Sequence, residues 1–296
     1  MALKRLNHQS FLSPASNLIL NTYNQSTIGL MSLSSKPQTV ALVAVIVIVM
    51  GVGVFAGFTL LNPAPPEDTT TIKLTLLNNA GVMIEADGLR IYIDPIDLPS
   101  NYSSLPADAI LITHPHGDHY NNTCINMLQK ETTVNVFPEN MSAEVAAHDG
   151  VGVNPLDTVQ VGSIDITAFY MYTEVWIDDV RFASHPPEAN WTSYLIDIGG
   201  FTIFHAGDSK NITEYSLITG QVDVALLPLG PGCQSMADME IVDAIDKLQP
   251  AYFIPIHFTS NLAAEIFVGA FEDDIADCSD CVVLRLEYFT SYTFEP

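Results

Sequence analysis

A short apolar run, Ala109 to Ile112, ends in the stretch THPHGDH, which sets His114, His116, Asp118 and His119 within six positions. The whole chain has only eight histidines. A single histidine is ordinarily satisfied in a core or at a surface. Four imidazole and carboxylate groups crowded at the end of a strand-like run are a different case, because these are the usual ligands of borderline cations such as zinc. In H-x-H-x-D-H, a loop after a strand lets His114 and His116 share one face while Asp118 and His119 reach toward a second point. That arrangement suits two metal ions.

Further ligand-type residues stand at the ends of other apolar runs. FTIFHAGDSK ends in Gly207–Asp208, where glycine allows a sharp turn and the aspartate emerges at the rim. AYFIPIHFTS ends in His257, and RFASHPPEANW places His185 in a proline-rich loop before a strand. With the cluster these make seven candidate ligands. His205, inside a strand, and His148, at the end of a surface helix, read as structural.

The surrounding chain alternates strands and turns. TIKLTLLN, GVMIEA and LRIYIDP form a meander with a turn at Asp87–Gly88, and TSYLIDIGG and FTIFHAGD pair around Gly199–Gly200. VDVALLPLG and AYFIPIHF read as buried strands, and helices fit residues 120–130, 141–148, 236–248 and 261–272. Ser142 and Ser235 are candidate caps for two of them, with Asp238 three residues after Ser235. The implied class is α/β, with two mixed sheets between helices.

THPHGDH, FHAGDS, DVALLPLG and IPIHF resemble the metallo-β-lactamase fold superfamily, in the branch of metal-dependent hydrolases similar to ascorbate-6-phosphate lactonases. The likeness covers about residues 72–290. It implies a four-layer αββα sandwich with two divalent metal ions, zinc or alternatively manganese or iron, at one edge of the sheets. By this resemblance His114, His116 and His185 hold the first metal, Asp118, His119 and His257 the second, and Asp208 bridges them. Asp94, in IYIDP, becomes a supporting residue. Two departures stand out: no histidine follows ITAFYMYTEVW directly, which leaves His185 for the third imidazole, and Ser209 replaces the threonine common after Gly-Asp. In such a site two cations acidify a bridging water, so hydroxide near neutral pH attacks a carbonyl or phosphoryl centre, with Asp118 orienting it and passing a proton to the departing atom.

Charge narrows the partners. Seven of the ten basic residues and all 34 acidic ones lie beyond Leu61, a formal −27 for that segment. Nucleic acid is excluded as a partner, since its binding rests on Lys and Arg neutralising phosphates. Few cations are left to grip a phosphorylated substrate, and only Arg181 and Lys210 are near proposed ligands in sequence. A small neutral ester, lactone or amide is therefore the expected substrate class. A phosphodiesterase acting on lipid headgroups and a non-catalytic metal-holding binding or sensor module are the alternatives. Tyr170, Tyr172, Trp176 and Trp191 flank the His185 loop and could wall an apolar pocket, although core packing is their commoner use.

Ahead of the domain, Val40 to Leu61 is 22 residues without a charge, long enough for a membrane span. Lys4, Arg5 and Lys36 precede it and Glu67 and Asp68 follow, which places the N-terminus in the cytoplasm and the domain outside the cell membrane. The organisation expected is a disordered tail over 1–38, a transmembrane helix over 39–61, a linker over 62–71 and a metallo-hydrolase domain over 72–296. Gly53 and Gly57 form a GxxxG at which a second copy could pack. Four cysteines, two of them in the CxxC of Cys278 and Cys281, suit a structural disulfide or free thiols better than redox chemistry.

Overall fold

The computed structural model describes residues 71–230 and 236–296. A first sheet begins with the antiparallel strands β1 (Ile72–Leu76), β2 (Val82–Ala86) and β3 (Leu89–Ile93), then runs parallel through β4 (Ala109–Leu111), β5 (Val134–Pro138) and β6 (Val151–Val153). A second contains β7 (Thr158–Val161) and β8 (Ile164–Tyr170), followed after a separate hairpin, β9 (Thr173–Ile177) and β10 (Val180–His185), by β11 (Thr192–Ile198) and β12 (Phe201–His205). The strands β13 (Val224–Pro228), β14 (Tyr252–Ile256) and β15 (Val282–Val283) extend it in parallel. The last strand, β16 (Ser291–Phe294), returns to the first sheet beside β1, so among the described residues each large sheet has seven strands and mixed direction.

Alternation within the strands explains the layering. On β2, β3 and β4, Val82, Ile84, Ile91, Ile93, Ala109 and Leu111 enter the main core. The intervening Met83, Tyr92 and Ile110 point to a second cluster with Phe137, Ile125 and Leu128. The last two belong to helix α1 (Asn122–Leu128), which is followed by α2 (Ser142–Ala147). Strands apolar on both faces must be covered on both. On the second sheet, β13 is buried throughout, and α3 (Asp238–Leu248) joins the main core through Ile241, Ala244, Ile245 and Leu248, one helical stripe. The last helix, α4 (Asn261–Cys278), adds Ala264, Phe267 and Ile275. The layers are helix, sheet, sheet, helix, as expected.

Local details differ from the sequence reading. Ser142 is the first residue of α2 and makes no cap bond. At α3 the Glu240 carboxylate accepts from the Ala237 N–H at 3.3 Å, and alanine has no side-chain oxygen to return the bond. His148 is buried rather than on a surface, its ring stacked on Phe137 at 5.8 Å. Cys124, Cys278 and Cys281 are free thiols.

The expectation of a single-pass protein with its domain outside the cell membrane is corrected. Among the described residues no helix is long and apolar enough to cross a membrane. The tail, the span with Gly53 and Gly57 and, but for Thr71, the linker lie outside the described residues, as do Cys233 and Ser235.

Candidate metal centre

The strand ends of both sheets converge on one edge. His114, His116, Asp118 and His119 follow β4 in the first sheet, while Asp208 and His257 follow β12 and β14 in the second. The main chain ties the sheets there: Thr192 N–H donates to the Thr113 carbonyl (3.1 Å), and the Tyr194 phenol donates to the Ile112 carbonyl (2.8 Å). His185 ends β10 rather than lying in a loop before a strand, and its ring enters the same space.

All seven residues expected from the sequence meet here. They form two groups, His114, His116, His185 and Asp208 in one and Asp118, His119, His257 and Asp208 in the other, with the donor atoms of each group within 4.8 Å of one another. In the first, His114 Nε2 is 3.2 Å from His185 Nε2 and 3.7 Å from Asp208 Oδ2, and His185 Nε2 is 3.4 Å from that oxygen. In the second, His119 Nε2 is 2.9 Å from Asp208 Oδ1, and His257 Nε2 is 3.3 Å from Asp118 Oδ2 and 3.5 Å from Asp208 Oδ1. A tetrahedral site with bonds of about 2.0–2.1 Å spaces its donors about 3.3–3.4 Å apart. The observed separations straddle that value.

A buried polar atom without a partner carries a large cost. His119 Nε2 and both oxygens of Asp208 are in that state: the 2.9 Å approach between them lacks hydrogen-bond geometry. The donor set therefore fits divalent cations, whose ligands it would complete.

The imidazoles are oriented from behind. The Asp94 carboxylate, fully buried, accepts from Thr113 N–H (2.8 Å), from the Thr113 hydroxyl (2.6 Å) and from His119 Nδ1–H (2.8 Å). Because the Thr113 hydroxyl donates to Asp94, its oxygen can only accept from His114 Nδ1–H, at 2.9 Å. One carboxylate thus fixes the tautomer of a histidine in each group and leaves both Nε2 lone pairs for a metal. His257 has φ +56°, an uncommon conformation for histidine, held by its N–H bond to the Asn79 carbonyl (3.1 Å). The Asn79 amide in turn donates to the Asp118 carbonyl (2.9 Å).

Electrostatics follow from this crowding in the metal-free chain. Burial pushes the His119 imidazole down, but Asp208 and Asp94 outweigh it and lift it to about 10. Burial raises the Asp208 carboxyl, and the histidines around it, His119 first, bring it well below the usual range. Burial, then the charge of His119, holds His114 well below the ordinary histidine value. The hydrogen bond from His257 lowers Asp118, whose side chain is half exposed at the mouth of the site.

Other expected residues are placed as follows. His205 is structural, accepting from Gly207 N–H through Nδ1 (3.2 Å) and donating from Nε2 to the Ala80 carbonyl (2.7 Å). Trp191 lies 5.2–5.4 Å, ring to ring, from His114, His116 and His185 and walls the first group. Tyr170 packs on the core, Tyr172 donates to Glu214 (2.7 Å), and Trp176 is exposed on the hairpin. Thr113 and Asn79 were missed from the sequence.

Comparison with known proteins agrees with the geometry. A beta-lactamase superfamily domain model matches residues 73–257. A UPF0173 metal-dependent hydrolase of Carboxydothermus hydrogenoformans is 28% identical over 214 residues, 68% of this chain and 91% of the relative. Among solved structures, a putative metal-dependent hydrolase from Parabacteroides distasonis superposes with a TM-score of 0.63 at 24% identity, covering 74% of this chain and 94% of the other. Igni18, a metallo hydrolase from Ignicoccus hospitalis, gives 0.61 at 22% identity over 76% and 99%. The match over most of the domain, on a fold that gathers the histidine motif at its edge, makes this chain a metal-dependent hydrolase of the metallo-β-lactamase superfamily.

Proposed function

We propose that the chain holds two divalent cations, zinc in the first instance, through the seven residues above and hydrolyses a small neutral ester, lactone or amide. The observation that carries this reading is Asp208, whose two buried oxygens are divided between the donor groups, Oδ2 toward His114 and His185 and Oδ1 toward His119 and His257. When bound, the cations supply an acidified water and positive charge for the attacked oxygen.

The chain's own residues do the rest. Asp94 and Thr113 keep His119 and His114 in the ligating tautomer. Asp118 turns Oδ2 toward His119 and His257, which leaves Oδ1 to orient the attacking water, take its proton and return it to the leaving group. Trp191 excludes solvent from one side of the first group. A phosphodiester is disfavoured because the domain's lysines and arginines are committed elsewhere, six of the seven to carboxylates.

The test is metal analysis of the purified chain together with chromogenic lactone, β-lactam, thioester, ester and phosphodiester substrates. Two equivalents of metal per chain and turnover of a neutral substrate are expected, with Asp118→Ala slowing kcat by at least about 100-fold. Bound metal without turnover of any substrate would favour a binding or sensor module instead.

A further inference from the structure

The β9–β10 hairpin belongs to neither large sheet, and among the described residues its outer part is exposed. Its base is part of the metal centre's support: Thr173 and His185 are buried, and the Thr173 hydroxyl oxygen accepts from His185 N–H at 2.9 Å. In its outer part the cross-strand pairs Val175–Phe182 and Ile177–Val180 put four exposed apolar side chains (38–56%) on the face that alternation also gives Thr173, while Trp176 pairs with Arg181 on the opposite face. On that opposite face Arg181 is clamped by Glu174 across the hairpin (2.6 Å) and by Glu188 (2.8 Å) in the turn that leads to Trp191. Exposed apolar residues gathered on one face mark an interaction or ligand site, where single scattered ones do not.

We infer that this hairpin binds an apolar, non-anionic portion of the substrate, the part remote from the reacting bond. The inference rests on the hydrolase reading for its occupant and adds the substrate class: a neutral ester or lactone bearing a long alkyl or aryl group. Two observations choose that occupant. The apolar face is on the same side of β9 as Thr173, whose hydroxyl holds the main chain of His185, a member of the first donor group, so a ligand reacting at the centre has this face beside it. The hairpin offers an anionic tail no unneutralised cation, since Arg181, its one basic residue, is held by two glutamates.

The test uses the metal-loaded full chain and the double variant Ile177→Ser/Phe182→Ser, both at exposed positions of the apolar face and outside the metal-binding set. Substrates are the p-nitrophenyl esters of acetate, decanoate and decanedioate, the last ending in a free carboxylate. We expect the variant to lose at least tenfold in kcat/KM on the decanoate while staying within twofold on the acetate, with metal content unchanged. Wild type should prefer the decanoate to the decanedioate by at least tenfold. Binding of the neutral dye Nile red is measured in parallel and should weaken at least tenfold in the variant. Equal losses on acetate and decanoate, indifference to the terminal carboxylate, or unaltered dye binding each overturn the proposal. So does a wild-type dimer that the double variant dissociates, which would make the hairpin a self-association surface. If no ester is turned over but the dye binds and the variant releases it, the ester substrate falls and the apolar site stands.

Discussion

Asp94 is the residue on which both donor groups lean. Its carboxylate reaches His119 directly and His114 through the Thr113 hydroxyl. Replacing it with alanine should weaken metal binding about 10–100-fold, the usual cost of removing such a partner. Thr113→Val, which cuts only the His114 branch, should cost less. Competition titration against a chelator separates the two, and an equal loss would contradict the relay. The same contacts predict a proton count. His119, lifted to about 10 from 6.5, keeps a proton at pH 8 in the metal-free chain, whereas His114 does not. Metal binding at pH 8 should therefore release about one proton from His119, and the release should decline as pH rises through about 10. Calorimetry in buffers of different ionisation enthalpy reads it. By the same linkage, the proton on His119 stabilises the metal-free fold fully below 6.5 and is lost as pH climbs through about 10. The histidine ligands were legible because histidine is rare in this chain, and Asp118 and Asp208 because they stand with glycine at strand ends beside or across from those histidines. Thr113 was not, since a threonine beside a histidine carries no spacing signal of its own.

Elements decide whether those residues meet. Asp208 leaves β12 through Gly207, whose φ is +57° and where an added Cβ would fall 2.6 Å from Met171 Sδ and 3.2 Å from Thr113 Cβ. Gly207→Ala combines a left-handed alanine with an overpacked contact and should destabilise the domain by about 2–4 kcal/mol. Urea unfolding measures that, and metal content should fall with it as Asp208 is displaced. A stability within about 0.5 kcal/mol of wild type would show that the turn relaxes freely. The glycine turn was readable from the sequence, as were the buried strands that end in ligands. The β9–β10 hairpin was not. It turns at Asp178–Asp179, both with positive φ (48° and 63°), in place of the Asn-Gly that usually signals such a turn. Of its apolar residues only Trp176 stood out in the sequence, as a pocket wall or a core residue. Conversely, VVLRLEYF (282–289) has the apolar content of a full strand but pairs only through Val282 and Val283, because it lies at the sheet edge beyond β14.

At the scale of the molecule, charge is the property that composition fixes and architecture has to tolerate. With 34 acidic and 7 basic residues beyond Leu61, most carboxylates have no cationic neighbour, and their mutual repulsion opposes the compact state. Salt acts on both signs of interaction. It weakens the ion pairs, such as Lys73–Glu85 at 3.1 Å and Arg285–Glu265 at 3.5 Å, but exposed pairs like these contribute only about 0–1 kcal/mol each. It also weakens a far larger number of repulsions acting over longer distances. Raising ionic strength from about 0.1 M to about 1 M shortens the screening length from about 10 Å to about 3 Å, which spares close pairs and removes most of the long-range repulsion. Stability should therefore rise with KCl. A gain of even about 1–2 kcal/mol would lift Tm by roughly 2–8 °C for a domain of this size. Thermal unfolding of the metal-loaded chain across that range of KCl checks this, with metal content assayed at each salt concentration so that metal loss is not mistaken for unfolding. A Tm that is flat or falls with salt would mean that the ion pairs outweigh the surplus of carboxylates, and that the acidity is organised into local networks rather than spread as net repulsion.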